Sequence, residues 1–459
     1  MPFSQVFRQF VGATPAAVMV QAILEKVLAD DKINDIFQRH ASRQYTRQLL
    51  FSAIVSLMAL VVLRMRKSIN SAYPLLKDST GVTLKAVYDK LNRTEPEVSA
   101  ALVRETACEM QAAIREMQGC MPPLLPGRRL RFLDGNCLTG TEHRILELRD
   151  VRAATLPGKS LVILDQETGL ACDVVPCEDG HAQERSLLDR VLEKVEAGQV
   201  WVADRNFCTS GFLVGLIRRG AFFVIRRHGK LACREVGRKY RVGKRKPGPR
   251  VYEQQVVIWD QEEEPFFLRQ VTLVRESPTR DGDHEIVLLT NLPSAEADAG
   301  KVAEIYAARW SLETAFQKLT DILRCEVSTL GYPKAALFAF CVALVSYNVV
   351  ATVEAALRAH HGATKIKDEL SMYHLTQEIA TTYGGMVRIV PERDWKRVQG
   401  LTLPEFTDLL LDIARQIDIS LLQKSKRGPK KPVTPKTRYR NTPHVSTQKL
   451  LTASRQPPD

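Results

Sequence analysis

Nine cysteines are spread along 459 residues with no CxxC pair among them. An odd, scattered set argues against a disulfide framework and a zinc ribbon, and fits reduced thiols in a cytosolic compartment. Cys172, Cys177 and His181 are too few and too loosely spaced for a structural zinc site. No GxxxxGK[ST] loop is present, so nucleotide hydrolysis is not indicated. Met1 to Phe10 lacks the charged start and apolar core of a secretory signal. Long apolar runs are also scarce. "SAIVSLMALVVL" (52–63) is too short to span a bilayer, and residues 335–353 are Ala-rich and carry Ser346, Tyr347 and Asn348. Both read as buried helices, and no membrane partner is expected.

Positive charge is what the chain has in surplus. Lys and Arg number 65 against 52 Asp and Glu, a net charge of +13. That excess favours a polyanionic partner, most often nucleic acid. A hydrophobic content of 45% and a charged content of 25% are those of a globular protein long enough for roughly two to four domains.

Periodicity divides the chain. Residues 1–125 read as mainly helical, through "AAVMVQAILEKVL" and "VSAALVRETACEMQAAIREM", with "STGVTLKAVYDKLNR" between them as either a DNA-contacting helix or part of an ordinary bundle. "GCMPPLLPGRR" (119–129) is a linker. "RRLRFLDGNCL", "KSLVILDQ" and "LACDVVPC" then read as strands. A helix "HAQERSLLDRVLEKVEAG", a strand "QVWVAD", a helix "CTSGFLVGLIRRG" and a strand "AFFVIRRH" follow. This series predicts a mixed α/β sheet with flanking helices over 126–228 and 286–420. Residues 229–285 are β-rich, basic at their middle, and read as an inserted hairpin module. The tail 421–459 carries eight Lys or Arg between 424 and 440 and is expected to be disordered alone, as a solvated end or a phosphate-binding one.

Three acids stand out. Asp134 sits in "RFLDGN", where an apolar strand meets an acid, although Asp-Gly is also a hairpin signal. Asp204 closes "VWVAD", either as a site residue or as a surface acid paired with Arg205 or starting the next helix. In "YAARWSLETAFQKL" (306–319), Tyr306, Arg309 and Glu313 fall within about 60° of one another on an ideal helix. An intrahelical pair with Arg309 is the plainer account of Glu313. Taken together, Asp, Asp and Glu on strand, strand and helix form a set that a fold can gather at one sheet edge. Converging carboxylates need a cation, and oxygen ligands suit Mg²⁺ or Mn²⁺, with two ions about 3.5–4 Å apart able to serve phosphodiester displacement.

The blocks "RFLDGNCL", "WVADRNF", "FFVIRRH", "LLTNLP" and "YAARWSLE" resemble, in order over about 130–350, those of the DDE transposases of bacterial insertion sequences, and more narrowly the group with a Y-x2-R-x3-E-x6-K signature. The resemblance implies a ribonuclease-H-like core interrupted by a β-rich insertion, with Asp134, Asp204 and Glu313 as the catalytic metal-binding triad. Tyr306, Arg309 and Arg226 match DNA-contacting positions, and Arg205 joins them as a candidate. The signature's Lys falls at Thr320 here, and Lys318 points about 140° away from Glu313 on an ideal helix.

By that likeness the activity is cut-and-paste transposition: nicking at the element's end, hairpin closure by the freed 3′-OH, reopening, and joining to a target. Trp259 is either a stacking platform for a base flipped during hairpin formation or a sheet-packing residue. Implied partners are double-stranded DNA with terminal inverted repeats, target DNA and a second copy of the chain, in a bacterial cytoplasm at the nucleoid. The rivals are a nuclease of the same fold without strand transfer and a non-catalytic DNA-binding derivative.

Overall fold

A computed structural model describes residues 3–44, 48–139, 156–242, 250–278, 282–310, 323, 325–327 and 329–424. Helices dominate the first 116 residues: α1 (Gln5–Ala13), α2 (Pro15–Val27), α3 (Asp30–His40), α4 (Phe51–Val62), α5 (Ile69–Ala72), α6 (Pro74–Thr80), α7 (Leu84–Arg93) and α8 (Pro96–Glu116). Pro15 and Pro96 open helices, where a missing N–H is harmless. Gly81, left-handed at φ 67°, ends α6, and the Thr83 hydroxyl accepts the Ala86 N–H to start α7.

Among the described residues nine strands follow: β1 (Leu130–Leu138), β2 (Gly158–Asp165), β3 (Ala171–Cys177), β4 (Val200–Ala203), β5 (Phe222–Arg226), β6 (Arg234–Val242), β7 (Arg250–Trp259), β8 (Pro265–Val274) and β9 (Glu285–Thr290). They form one sheet in the order β3-β2-β1-β4-β5-β9-β8-β7-β6. β1, β4 and β5 run parallel to one another, and every other neighbouring pair is antiparallel. The order 3-2-1-4-5, with β2 reversed, is the ribonuclease-H-like arrangement. Strands β6 to β8, from the stretch expected as an inserted hairpin, extend this same sheet beyond β9. Period-2 patterning marks a strand without saying which sheet it joins.

Both faces of the core sheet are covered, and β2 is buried at every position. Leu133, Ile163, Trp201 and Phe223 pack beneath α9 (Leu188–Leu192) and α10 (Ser210–Arg218). Phe132, Val162, Val202 and Val224 face α11 (Ala299–Ala307) and α12 (Pro333–His361). The helix expected over 181–198 is shorter than its pattern: Glu184–Leu187 is a 3-10 turn and α9 ends at Leu192.

α12 is long and apolar enough to cross a membrane, and its most apolar window is wholly buried inside the protein. Its polar residues have local duties. The Asn348 amide donates to the Ala171 carbonyl at 2.9 Å and accepts from the Ala171 N–H at 2.8 Å, closing the outer edge of β3. The Tyr347 hydroxyl donates to the Gly169 carbonyl at 2.9 Å. A buried polar group matched this way avoids a desolvation penalty. The chain continues through α13 (Ala363–Glu369), α14 (Met372–Ile389), α15 (Glu392–Gly400) and α16 (Leu403–Ala414). Of these, α14 to α16 pack on α2, so early and late helices share one core.

Candidate active site

Strand register aligns the candidate acids. Leu133 pairs with Ala203, and Ala203 with Ile225. The next residues, Asp134, Asp204 and Arg226, therefore form a row across three parallel strands about 4.8 Å apart. They share a face with Phe132, Val202 and Val224, two residues back, which is the face that α11 and α12 cover. Carboxyl ends of parallel strands are where open α/β sheets bind ligands.

Asp134-Gly135 is not a turn. β1 runs on to Leu138, which is buried, and Asp134 stays paired with Val162 of β2, so the ladder overrides the hairpin signal. Gly135 serves a close approach instead: a Cβ there would stand 2.1 Å from Glu184 Oε1. Asp204 precedes the 3-10 turn Arg205–Phe207 but makes no side-chain bond to it, and α10 is capped by Thr209. The helix-starting account of Asp204 therefore fails.

Two residues around the end of α11 reach the acids. The Tyr306 hydroxyl donates to Asp204 Oδ1 at 3.1 Å, and Arg309 Nη1 donates to Asp134 Oδ2 at 3.0 Å. Asp134 Oδ1 also accepts the Gly135 N–H at 2.9 Å. The Arg309 side chain is 8% exposed and that of Asp134 23%, so this pair is largely withdrawn from water. The expectation of one continuous helix through Tyr306 and Arg309 needs correction. α11 ends at Ala307, and the Arg309 N–H bonds the Tyr306 carbonyl three residues back. Neither proline nor glycine lies at this break. Tertiary bonds to Asp134 and Asp204 accompany it, in place of the helical face that the spacing implied. Glu313, Lys318 and Thr320 lie outside the described residues, as does the basic run 425–459.

Residues 127–349 match the family model of the transposase DDE domain. These residues belong to that family. No curated protein sequence matches the chain. Among solved structures, a piggyBac transposase in a synaptic complex with hairpin DNA, determined by cryo-EM, is similar at 11% identity. The match covers 88% of this chain and 86% of that one, with a TM-score of 0.36.

Electrostatics within the DDE domain are uneven. Burial first, then the nearby charges of Asp204 and Glu184, push the Asp134 carboxyl up to about 6, against the lowering pull of Arg309 and the Gly135 N–H. Burial and Asp204 also raise the Tyr306 hydroxyl well above its ordinary range, so it stays a donor at neutral pH. Crowded acids in a partly dry site are a charge distribution that a cation relieves. DDE domains generally use divalent metal ions, and the donors here fit one: two carboxylates side by side, which suit a hard, oxygen-seeking cation. Among the described residues no group of three or more His, Cys, Asp or Glu could hold a metal, so the pair needs a further donor.

Arg226 joins the site, with Nη1 4.0 Å from Asp204 Oδ1. Arg205 reaches Asp283 at 3.5 Å. Trp259 is not brought to the acids. Following the pairing from Arg226 through Leu288 and Val271 reaches Glu253, and Trp259 lies six residues further towards the opposite edge, roughly 20 Å at about 3.3 Å per residue. There the Arg234 guanidinium stands over its ring at 5.3 Å. Sequence reasoning passed over Glu184, whose carboxylate accepts from the Asn206 amide, and Asp283, which binds Arg226. Neither carries a local sequence signal, since their partners lie 22 and 57 residues away.

Proposed function

We propose that the chain is a cut-and-paste DNA transposase in which Asp134, Asp204 and Glu313 hold Mg²⁺ or Mn²⁺, as two ions. The carrying observation is the row of Asp134, Asp204 and Arg226 at the ends of three parallel strands, with Tyr306 and Arg309 bonded to its two acids. Bound there, the metal would supply Lewis acidity for phosphoryl transfer. Tyr306 fixes the orientation of the Asp204 carboxylate. Arg309 balances Asp134 and, with Arg226 and Arg205, offers guanidinium groups to the phosphates beside the cut. Hydrolytic nicking, hairpin formation and opening, and strand transfer are all phosphoryl transfers that one such site can run in turn.

In this reading the helices of 1–125 bind the element's ends, 126–228 and 286–420 form the catalytic core, 229–285 is the β-rich insertion, and the basic tail 421–459 adds non-specific DNA contacts. The partners are DNA with terminal inverted repeats and target DNA, engaged by a homodimer at the cytoplasmic nucleoid. The test is cleavage of linear DNA carrying the inverted repeats that flank the coding sequence, with Mg²⁺. Asp134→Asn is expected to abolish cutting and keep end binding, and undiminished cutting refutes the assignment. Nicked products without hairpins or joined target indicate a nuclease instead.

A further inference from the structure

Beside the acid pair, two guanidinium groups converge on one oxygen. Arg226 Nη2 lies 2.5 Å from Asp283 Oδ2, and Arg205 Nη1 lies 3.5 Å from the same atom. Arg226 turns its other terminal nitrogen to Asp204. Asp283 comes from the connection between β8 and β9, not from the core strands. The Arg226 side chain is 13% exposed, whereas those of Asp283 and Arg205 are 35% and 45% exposed, so the cluster runs from the covered site out to the protein surface.

Planar guanidinium groups gathered around one oxyanion are the donor set that recognises a phosphate, and a carboxylate is its nearest side-chain imitation. An acid at this point also repels the polyanion that the surrounding arginines attract. We infer that Arg205 and Arg226 form a binding site for one backbone phosphate of DNA, and that Asp283 fills this site until DNA displaces it. The inference rests on the transposase reading and adds the site's resident occupant. While Asp283 is in place, an arriving phosphate must displace it from Arg226 and Arg205, which weakens capture of DNA that makes few other contacts. When Asp283 leaves, Arg226 stays tethered between Asp204 and the incoming phosphate, which orders the strand beside the acids.

Asp283 has a rival role as a strut that merely holds Arg226 in position, and one substitution separates the two. Asp283→Asn keeps the shape and an acceptor oxygen while removing the charge. With inorganic phosphate as the probe and chloride of equal ionic strength as control, phosphate is expected to raise the thermal midpoint of the full-length Asn variant more than that of wild type. Adding Arg226→Gln should erase the gain. In fluorescence anisotropy with duplex carrying the element's ends, the Asn variant should bind about fivefold to tenfold tighter at low salt, the gap closing as salt rises. Phosphate stabilisation that is unchanged or smaller in the Asn variant overturns the site, whatever the DNA result. Wild-type protein that binds no end DNA sinks the transposase reading separately.

Discussion

Asp134→Asn should make the protein more stable at neutral pH while removing its chemistry. Two effects compete. The carboxyl titrates at about 6 in the fold against an ordinary 3.8, a rise of about two pH units worth about 3 kcal/mol at about 1.36 kcal/mol each. Against this, Arg309 loses an anionic partner, and stranding a buried charge costs about 3–5 kcal/mol when nothing replaces the partner. Asparagine does replace it in part, because its amide oxygen still accepts the Arg309 N–H. The raised carboxyl also already reflects Arg309's attraction, so the charge penalty decides the sign. Between about pH 4 and 6 the folded state binds more protons at this group than the unfolded chain, so wild-type stability falls as pH rises through that window. Urea unfolding followed by tryptophan fluorescence should find the Asn variant about 1–3 kcal/mol more stable at pH 7.5, with the difference vanishing below pH 4. An Asn variant that is less stable at pH 7.5, or a difference that does not change with pH, refutes the dominance of burial over the Arg309 pair.

Two further perturbations probe the frame. Gly135→Ala pushes the Glu184 carboxylate from its place, since a Cβ would meet Oε1 at 2.1 Å. It should cost about 1–3 kcal/mol, and adding Glu184→Ala should recover most of that loss in a double-mutant cycle, whereas strict additivity would show that another group fills the space. Asn348→Ala leaves the Ala171 N–H and carbonyl buried without their side-chain partner, at roughly 2–5 kcal/mol for the two groups. Amide exchange at Ala171 should accelerate with it, and an unchanged rate would mean that the edge of β3 is held by something else.

The core strands could be read from the sequence because each is a short apolar run bounded by Gly, Pro or Asp, and β1 to β5 fall on those runs. Asp134 was ambiguous because Asp-Gly favours a turn locally, whereas pairing with β2 through Leu138 keeps the strand extended. The spacing of Tyr306 and Arg309 pointed to a shared face for a reason the structure does not follow: the helix stops between them, and tertiary bonds bring both to the acids. Glu184 and Asp283 were illegible as site residues because each acts through partners at least 22 residues away in sequence. That β6 to β8 extend the core sheet was hidden as well, since alternation specifies a strand's faces and not its neighbour.

Convergence of Asp134, Asp204 and Glu313 on one divalent-cation site is the claim on which the functional reading depends. Mn²⁺ binding, followed by electron paramagnetic resonance on the full chain without DNA, tests it most directly. Asp134→Asn, Asp204→Asn and Glu313→Gln should each weaken binding by about tenfold or more, whereas wild-type affinity in any one of the three would contradict it.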